Sequence, residues 1–473
     1  MSRYLALAPE AALALTALLV FAALMTERHR TARARRAAYV GGALVLAASL
    51  LTLGRSEEFL WAAYRVDAFS QLVKAAVAAG FLIGAAIAGD VRGQREDVRG
   101  EVFFFLLTST AGLVTLASAV ELLALYLGME IASFSLFVLV PMCDRCEMGR
   151  EAALKFIVIG LAASAVTLFG LSLLVGFTGT TRLDEIVRQL PQLAGEPAVM
   201  FGLALFLAGL LFKLAVFPFH FWAPDVYQAA SHGVASFVAT ASKVGAIAVL
   251  ARLIAAAELG GAQLVTALAV IAAVSMTLGN LVAIVQRDVK RMLAYSAVAQ
   301  AGYVVVGLVA FTRAGVAAAL FYGLLYLVMN AAAFLVVARV GADGSNPQLE
   351  DLSGLHHRSP LLAATLLLAL FALAGVPPTA GFVGKWFLFS AAMGQGWWLL
   401  VLLGAVNSTV SVYYYLVAVK YAYLVPDDQH RGPVVLSVGD RALCYALSGA
   451  VVVLGVFPTV LYNLAARAAL LLP

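Results

Sequence analysis

Stretches of about twenty apolar residues follow one another along almost the whole chain, and few structures can absorb that pattern. A run of that length crosses a hydrocarbon core of about 30 Å as a single helix. A helix also satisfies its own backbone hydrogen bonds, which lipid cannot do for it. Only 12% of the 473 residues are charged and 63% are hydrophobic, too little polar surface for a water-soluble globule. The sequence therefore predicts an all-α polytopic membrane protein, with residues 1–473 forming one membrane domain.

Apolar runs read against their breakers predict about fourteen transmembrane helices. They fall near residues 4–26, 37–54, 66–89, 102–118, 120–141, 153–177, 198–219, 233–257, 262–285, 292–312, 314–338, 361–392, 397–419 and 442–464. The first run, Tyr4 to Met25, is too long for a signal-peptide core and precedes a basic cluster, so it reads as a retained helix. With the N-terminus outside, the first inner loop holds Arg28, Arg30, Arg33, Arg35 and Arg36, and the second Arg92, Arg95 and Arg99. Later inner loops add Arg145, Arg150, Arg287, Lys290, Arg291, Arg339, Arg358, Lys420, Arg431 and Arg441. The outer segments hold only Arg3, Arg55, Arg65, Arg182, Arg188, Arg313 and Arg467. Loop lysine and arginine favour the cytoplasmic face, so both termini are expected on the periplasmic side of a bacterial inner membrane.

Other chemistry is hard to find. Cys143 and Cys146 make one CxxC with neither a second pair nor a nearby histidine, so no metal site is expected. Without a GxGxxG, Walker or HExxH motif, the chain is expected to hold no nucleotide, flavin, haem or cluster. Its basic first loop is expected to set topology and touch anionic membrane lipids, not nucleic acid.

The informative residues are the charges inside the spans: Lys74, Lys155, Lys213, Lys243, Arg252, Lys385 and Glu130. Each costs roughly 2.5–3.5 kcal/mol at a bilayer centre on insertion scales. The basic ones are mostly lysines, which can give up a proton where arginine cannot. Arg252 and Lys74 lie towards helix ends and are expected to snorkel to the surface. Lys155 follows Glu151 by four residues, a helical ion pair that suits a structural role as well as a functional one. Glu130 falls midway along ELLALYLGMEIASFSLF with no basic residue within a turn, so its partner must come from another helix. Lys213 and Lys243 are also mid-span, and Lys385 follows a proline-broken stretch; with Glu130 they are expected to line a polar path.

Pro218 in FKLAVFPFHFWAPD, and Pro377 with Pro378 in AGVPPTAGFVGKW, interrupt two of the spans. Proline inside a helix costs about 3 kcal/mol, and in lipid such breaks persist where freed carbonyls meet protein or water. His220 lies seven residues after Lys213, on the same face if the helix continues; it either carries protons toward the cytoplasm or caps the helix end. His356 and His357 read as solvated loop residues. From Lys213 to Lys385 there are five spans, an odd number, so two related five-helix units would be inverted in the membrane.

Matching stretches give the chain its family resemblance: VDAFSQL, ELLALYLGMEIASFSLFVLV, EAALKFIVIGLAASAVTLFGLSLL, FKLAVFPFHFWAPDVY, ATASKVGAIAVLARL, GNLVAIVQRDVKRMLAYSAVAQAGY, DLSGLHHRSP, GVPPTAGFVGKWFLF and NSTVSVYYYL. The sequence resembles the subunit N family of bacterial respiratory complex I, counterpart of mitochondrial NADH dehydrogenase subunit 2. The resemblance implies fourteen helices with two inverted five-helix repeats, 102–257 and 262–425, each with a discontinuous helix. Residues 1–101 would then carry three N-terminal helices and 438–473 the last one. It implies a proton-translocating subunit of an NADH:quinone oxidoreductase, driven from elsewhere in the complex, with Glu130, Lys213, Lys243, Lys385, Lys155 and His220 at family positions. It also implies that NADH, FMN, iron–sulfur clusters and quinone belong to partner subunits. Subunit M, itself antiporter-like, and the small subunit K would be its neighbours. The sequence departs from the family in having Ser231, His232 and Gly233 where Pro, Ala and Pro are usual, and Gln300 where histidine is usual.

The expected mechanism is a relay from Lys213 through Lys243 to Lys385, which would lie nearest the periplasmic exit. Glu130 would approach Lys213 to about 4 Å, an attraction of roughly 4 kcal/mol at an effective dielectric of 20. The same fold and lysines also suit a subunit of an Mrp-type cation/proton antiporter, of a membrane-bound hydrogenase or of another dehydrogenase. A purely structural anchor would not keep four charges in mid-span.

Overall fold

The structure, a computed structural model, describes residues 3–26, 30–89, 98–143, 146–193, 195–256, 262–427 and 431–470. Arg28, Arg92, Arg95 and Arg145 of the loop count lie outside the described residues, as do 471–473 at the end of the last expected segment.

The chain opens with α1 (Ala8–Leu24) and α2 (Arg30–Leu51), then a two-stranded hairpin, β1 (Glu57–Phe59) and β2 (Tyr64–Val66). Next come α3 (Ala68–Gly89), α4 (Arg99–Ser118), α5 (Leu122–Leu139) and α6 (Cys146–Thr178). A short amphipathic α7 (Leu183–Leu193) leads to α8 (Pro197–Leu214), α9 (Trp222–Ala229), α10 (His232–Ala239) and α11 (Ala241–Ala256). Then follow α12 (Ala262–Ile284), α13 (Val289–Val309), α14 (Arg313–Val340), the single-turn α15 (Leu355–Arg358), α16 (Pro360–Ala374) and α17 (Ala380–Met393). The last three are α18 (Trp398–Tyr423), α19 (Val438–Val456) and α20 (Thr459–Leu470).

Thirteen spans among the described residues are long and apolar enough to cross a membrane, counting α10 with α11; α16 and α17, each too short alone, make a fourteenth in tandem. The predicted count therefore stands. The α10–α11 span is buried throughout and α13 and α14 nearly so, whereas α1, α6 and α19 turn most of their surface outward. In lipid this ordering cannot come from hydrophobicity, since tails are as apolar as leucine; it comes from close packing and polar contacts. Gly112 brings α4 against α5, where a Cβ would lie 2.4 Å from the Ala132 nitrogen. Gly279 does the same for α12 and α13, with a Cβ 2.6 Å from the Ala299 nitrogen.

One end of the bundle carries the hairpin, tied on by a backbone bridge from Tyr64 to Ala119, with a second bridge from Glu121 to Arg182 nearby in the chain. At the opposite end, the Lys290 end, Asp288 caps α13 through the Arg291 N–H, and Arg291 pairs with Asp225 at 2.8 Å.

Two residues placed by the sequence at snorkelling positions are instead sealed in at the hairpin end. Lys74 is fully buried and pairs with Glu10 at 2.5 Å, and the Tyr64 hydroxyl donates to the same carboxylate. Arg252 is likewise buried, pairs with Asp67 at 3.3 Å and donates to the Ala117 carbonyl. Neither side chain extends to the surface, because an acid from elsewhere in the chain reaches it first.

A candidate proton path at the broken helices

The proline-marked breaks are real and share one construction. After Leu214, Ala215 takes a left-handed conformation, φ 56°; after Ala374, Gly375 does so with φ 86°. The helix stops at each, and its last carbonyls lose their intrahelical donors. Gly381 lets α17 turn back against α16, since a Cβ there would sit 1.7 Å from the Ala372 carbonyl oxygen. The tryptophan indole of Trp222 takes up the Phe212 carbonyl at 2.9 Å. A third break, which no proline announces, separates α10 from α11 at Thr240.

Lysines occupy the freed acceptors. Lys243 donates to the Leu214 carbonyl at 2.5 Å and lies 5.9 Å from the Trp222 ring. Lys385 donates to the Leu373 and Ala374 carbonyls at 3.1 and 3.0 Å and to Ser408 Oγ at 2.8 Å. Its ammonium lies 4.4 Å from the Tyr303 ring centre. Both side chains are buried, and among the described residues no carboxylate pairs with either. The acceptors are neutral carbonyl dipoles at helix C-termini, which favour a cation without fixing its charge as a carboxylate would.

Lys213 turns the other way, to the Met129 carbonyl at 3.2 Å and Ser133 Oγ at 2.9 Å on α5. Glu130 accepts from Ser164 at 2.7 Å. Both face a small cavity that also touches Phe137, Gly160 and Phe212. The expected direct approach of the acid to the lysine is replaced by separate partners across that cavity. His220 is buried within the first break, and its Nδ1 has no hydrogen-bond partner. Because the helix ends at Leu214, His220 does not continue the face of Lys213 as its spacing suggested. Lys155 stays half exposed, with Glu151 at 2.8 Å and Asp225 at 3.3 Å.

Residues 119–411 match the family model described as the membrane region of NADH:quinone oxidoreductase and Mrp antiporters. A curated relative from Syntrophobacter fumaroxidans, NADH-quinone oxidoreductase subunit N 2, is 45% identical over 98% of this chain and 99% of its own. The chain belongs to the NADH-quinone oxidoreductase subunit N family. A chain of respiratory complex I from Thermus thermophilus superposes with a TM-score of 0.84 at 34% identity, covering 97% of this chain and 99% of that one. A chain of the Mrp complex from Dietzia gives a TM-score of 0.87 at 24% identity, over 99% of this chain and 97% of its own, which shows the shared fold.

Further buried polar residues lie between the two broken helices. On α14, Tyr322, Tyr326 and Asn330 recur every four residues and so share a face. Asn330 donates to the Ala239 carbonyl beside the Thr240 break at 3.2 Å and to Tyr326 at 2.9 Å. Tyr322 donates to Gln300, which itself donates to the Leu373 carbonyl at 2.8 Å. The amide of Gln300 thus stands beside Lys385, sharing one of its carbonyls. The i, i+4, i+8 spacing of polar residues inside an apolar helix was the signal for this link. Charge drew the sequence reading past it, and uncharged hydroxyls and amides were missed.

Lys290, read from sequence as a loop residue, is buried in the first turn of α13. It donates to the Ala230 carbonyl at 2.6 Å and to Asn346 Oδ1 at 2.9 Å.

Proposed function

We propose that this subunit pumps protons for an NADH:quinone oxidoreductase and that they pass along Lys213, Lys243 and Lys385 under the control of Glu130. The observation that carries the reading is the pair of buried lysines whose ammonium groups are held at broken helix ends by carbonyls, not by acids. A buried amine without an acid can exist with or without its proton, and small changes of surroundings decide which. Glu130 supplies the variable field. Its carboxylate faces the same cavity as Lys213, so moving it toward or away from the amine changes how firmly the proton is held. His220 and Lys155 serve the path from the side of the first break. Tyr322, Gln300 and Asn330 bridge Lys243 to Lys385 through hydroxyl and amide groups.

Residues 102–257 and 262–425 act as two inverted five-helix units, with 1–101 and 438–473 flanking them. The paired glycine crossings and the two similar breaks support that division. The subunit sits in a bacterial inner membrane with both termini periplasmic, as the basic loops favour, between subunit M and subunit K. NADH, FMN, iron–sulfur clusters and quinone belong to the other subunits of the complex.

Replacing Lys213 or Glu130 with alanine is expected to abolish or sharply lower proton pumping by membrane vesicles that still oxidise NADH with an artificial acceptor. Pumping at the parent rate by an assembled complex would reject the relay.

A further inference from the structure

Among the described residues ten buried polar side-chain atoms lack a hydrogen-bond partner, and four of them fall within one short stretch of the chain. His232 Nδ1, Ser236 Oγ, Tyr227 Oη and His220 Nδ1 are all of this kind, and all belong to α9, α10 or the break before them. Buried polar atoms without a protein partner are rare and are ordinarily met by ordered water. His232, Ser236 and Thr240 follow one another at intervals of four, which places them in one stripe along α10. That stripe begins at the Lys290 end and runs about 12 Å, at 1.5 Å per residue, to the break three residues before Lys243.

A cavity of about 270 Å³ opens at the start of the stripe, lined by His232, Lys290, Ser231, Asn346, Gln228 and Cys143 among others. His232 Nε2 lies 3.1 Å from the Gly341 carbonyl oxygen. A carbonyl only accepts, so Nε2 carries the hydrogen and Nδ1 of the neutral ring is a bare acceptor. Lys290 has two protein acceptors, Ala230 O and Asn346 Oδ1. A neutral amine has two N–H groups and an ammonium three. Lys290 can therefore lose one proton and keep both of these bonds.

We propose that His232 is a proton-carrying residue, and that the stripe from His232 through Ser236 to Thr240 is a hydrated inlet from the Lys290 end to Lys243. Bulk water in the cavity protonates the Lys290 amine. The ammonium releases that proton through water to His232 Nδ1, leaving a neutral amine and an imidazolium. The imidazolium passes the same proton to water held by Tyr227 and Ser236, returns to its neutral tautomer, and the proton reaches the Lys243 amine. One proton enters and one arrives, with no other bond changed. The proposal rests on the lysine relay of the preceding section and adds an entry to it at Lys243.

The test uses the complete complex in inverted membrane vesicles, with NADH as donor, and compares His232→Ala, His232→Gln, Ser236→Ala and Lys213→Ala. Glutamine keeps a donor for the Gly341 carbonyl but cannot shuttle a proton. Both His232 variants are expected to pump at least tenfold more slowly while NADH oxidation by ferricyanide stays at the parent rate; Ser236→Ala should lose two- to threefold. Added imidazole, about 10 mM, should restore His232→Ala several-fold and leave Lys213→Ala unchanged, which no packing defect would do. Parent-rate pumping by His232→Gln, or a His232→Ala deficit that imidazole leaves untouched, overturns the inlet. If Lys213→Ala loses pumping while His232→Gln keeps it, the relay survives and only the inlet falls; parent-rate pumping by Lys213→Ala removes the relay itself.

Discussion

The hairpin end and the centre of the bundle both bury basic side chains, and they treat them in opposite ways. At the hairpin end Lys74 meets Glu10 and Arg252 meets Asp67, so every buried cation has its own acid. At the centre, among the described residues, Lys243 and Lys385 have only carbonyls and a serine hydroxyl as hydrogen-bond partners. An acid fixes a cation's charge, because removing either partner strands the other in a medium of low dielectric. A carbonyl stabilises a cation but tolerates a neutral amine, so the same residue type is fixed as a cation in one place and left free of that constraint in the other. Burial alone therefore does not identify a relay residue; the chemistry of the acceptor does.

This contrast can be broken by experiment. The largest effect is expected for Arg252→Ala, which strands the Asp67 carboxylate and should cost about 3–5 kcal/mol, read as a lower melting temperature of the detergent-solubilised complex. Pumping per assembled complex should stay near the parent value, and a loss as deep as that of a central lysine would erase the distinction. Lys385→Ala should reverse the pattern, with pumping at least tenfold lower. Lys385→Arg should be as poor a pump as the alanine variant, since guanidinium keeps charge and donors but not the ability to release a proton.

Glu130→Gln can keep the Ser164 bond and removes only the charge, so a several-fold loss of pumping, smaller than that of Lys385→Ala, is expected. Equal losses would mean that the acid is itself a carrier. Tyr322→Phe leaves one Gln300 acceptor unpaired and should cost about 1 kcal/mol of stability, with a modest fall in pumping. Lys155→Ala sits at the small end of the scale. Its side chain is half exposed and its ion pairs are screened by solvent, so a loss of pumping smaller than that of any other path variant above is expected.

The sequence by itself determined the membrane class, the fourteen spans, two of the breaks and the mid-span placement of Glu130, Lys213, Lys243 and Lys385. Those features follow from local rules: a long apolar run must become a helix in lipid, a proline must interrupt it, and a charge in mid-span must have a reason. The tertiary structure alone decided who partners whom. The acids beside Lys74 and Arg252 come from Glu10 on α1 and Asp67 before α3, some 64 and 185 residues away along the chain, and no local pattern links them. The Thr240 break, the partners of the polar row along α14 and the burial of Lys290 depend in the same way on neighbouring helices. A side chain's acceptor is chosen by what packs against it, and in a bundle of this kind that neighbour is almost never adjacent in the chain.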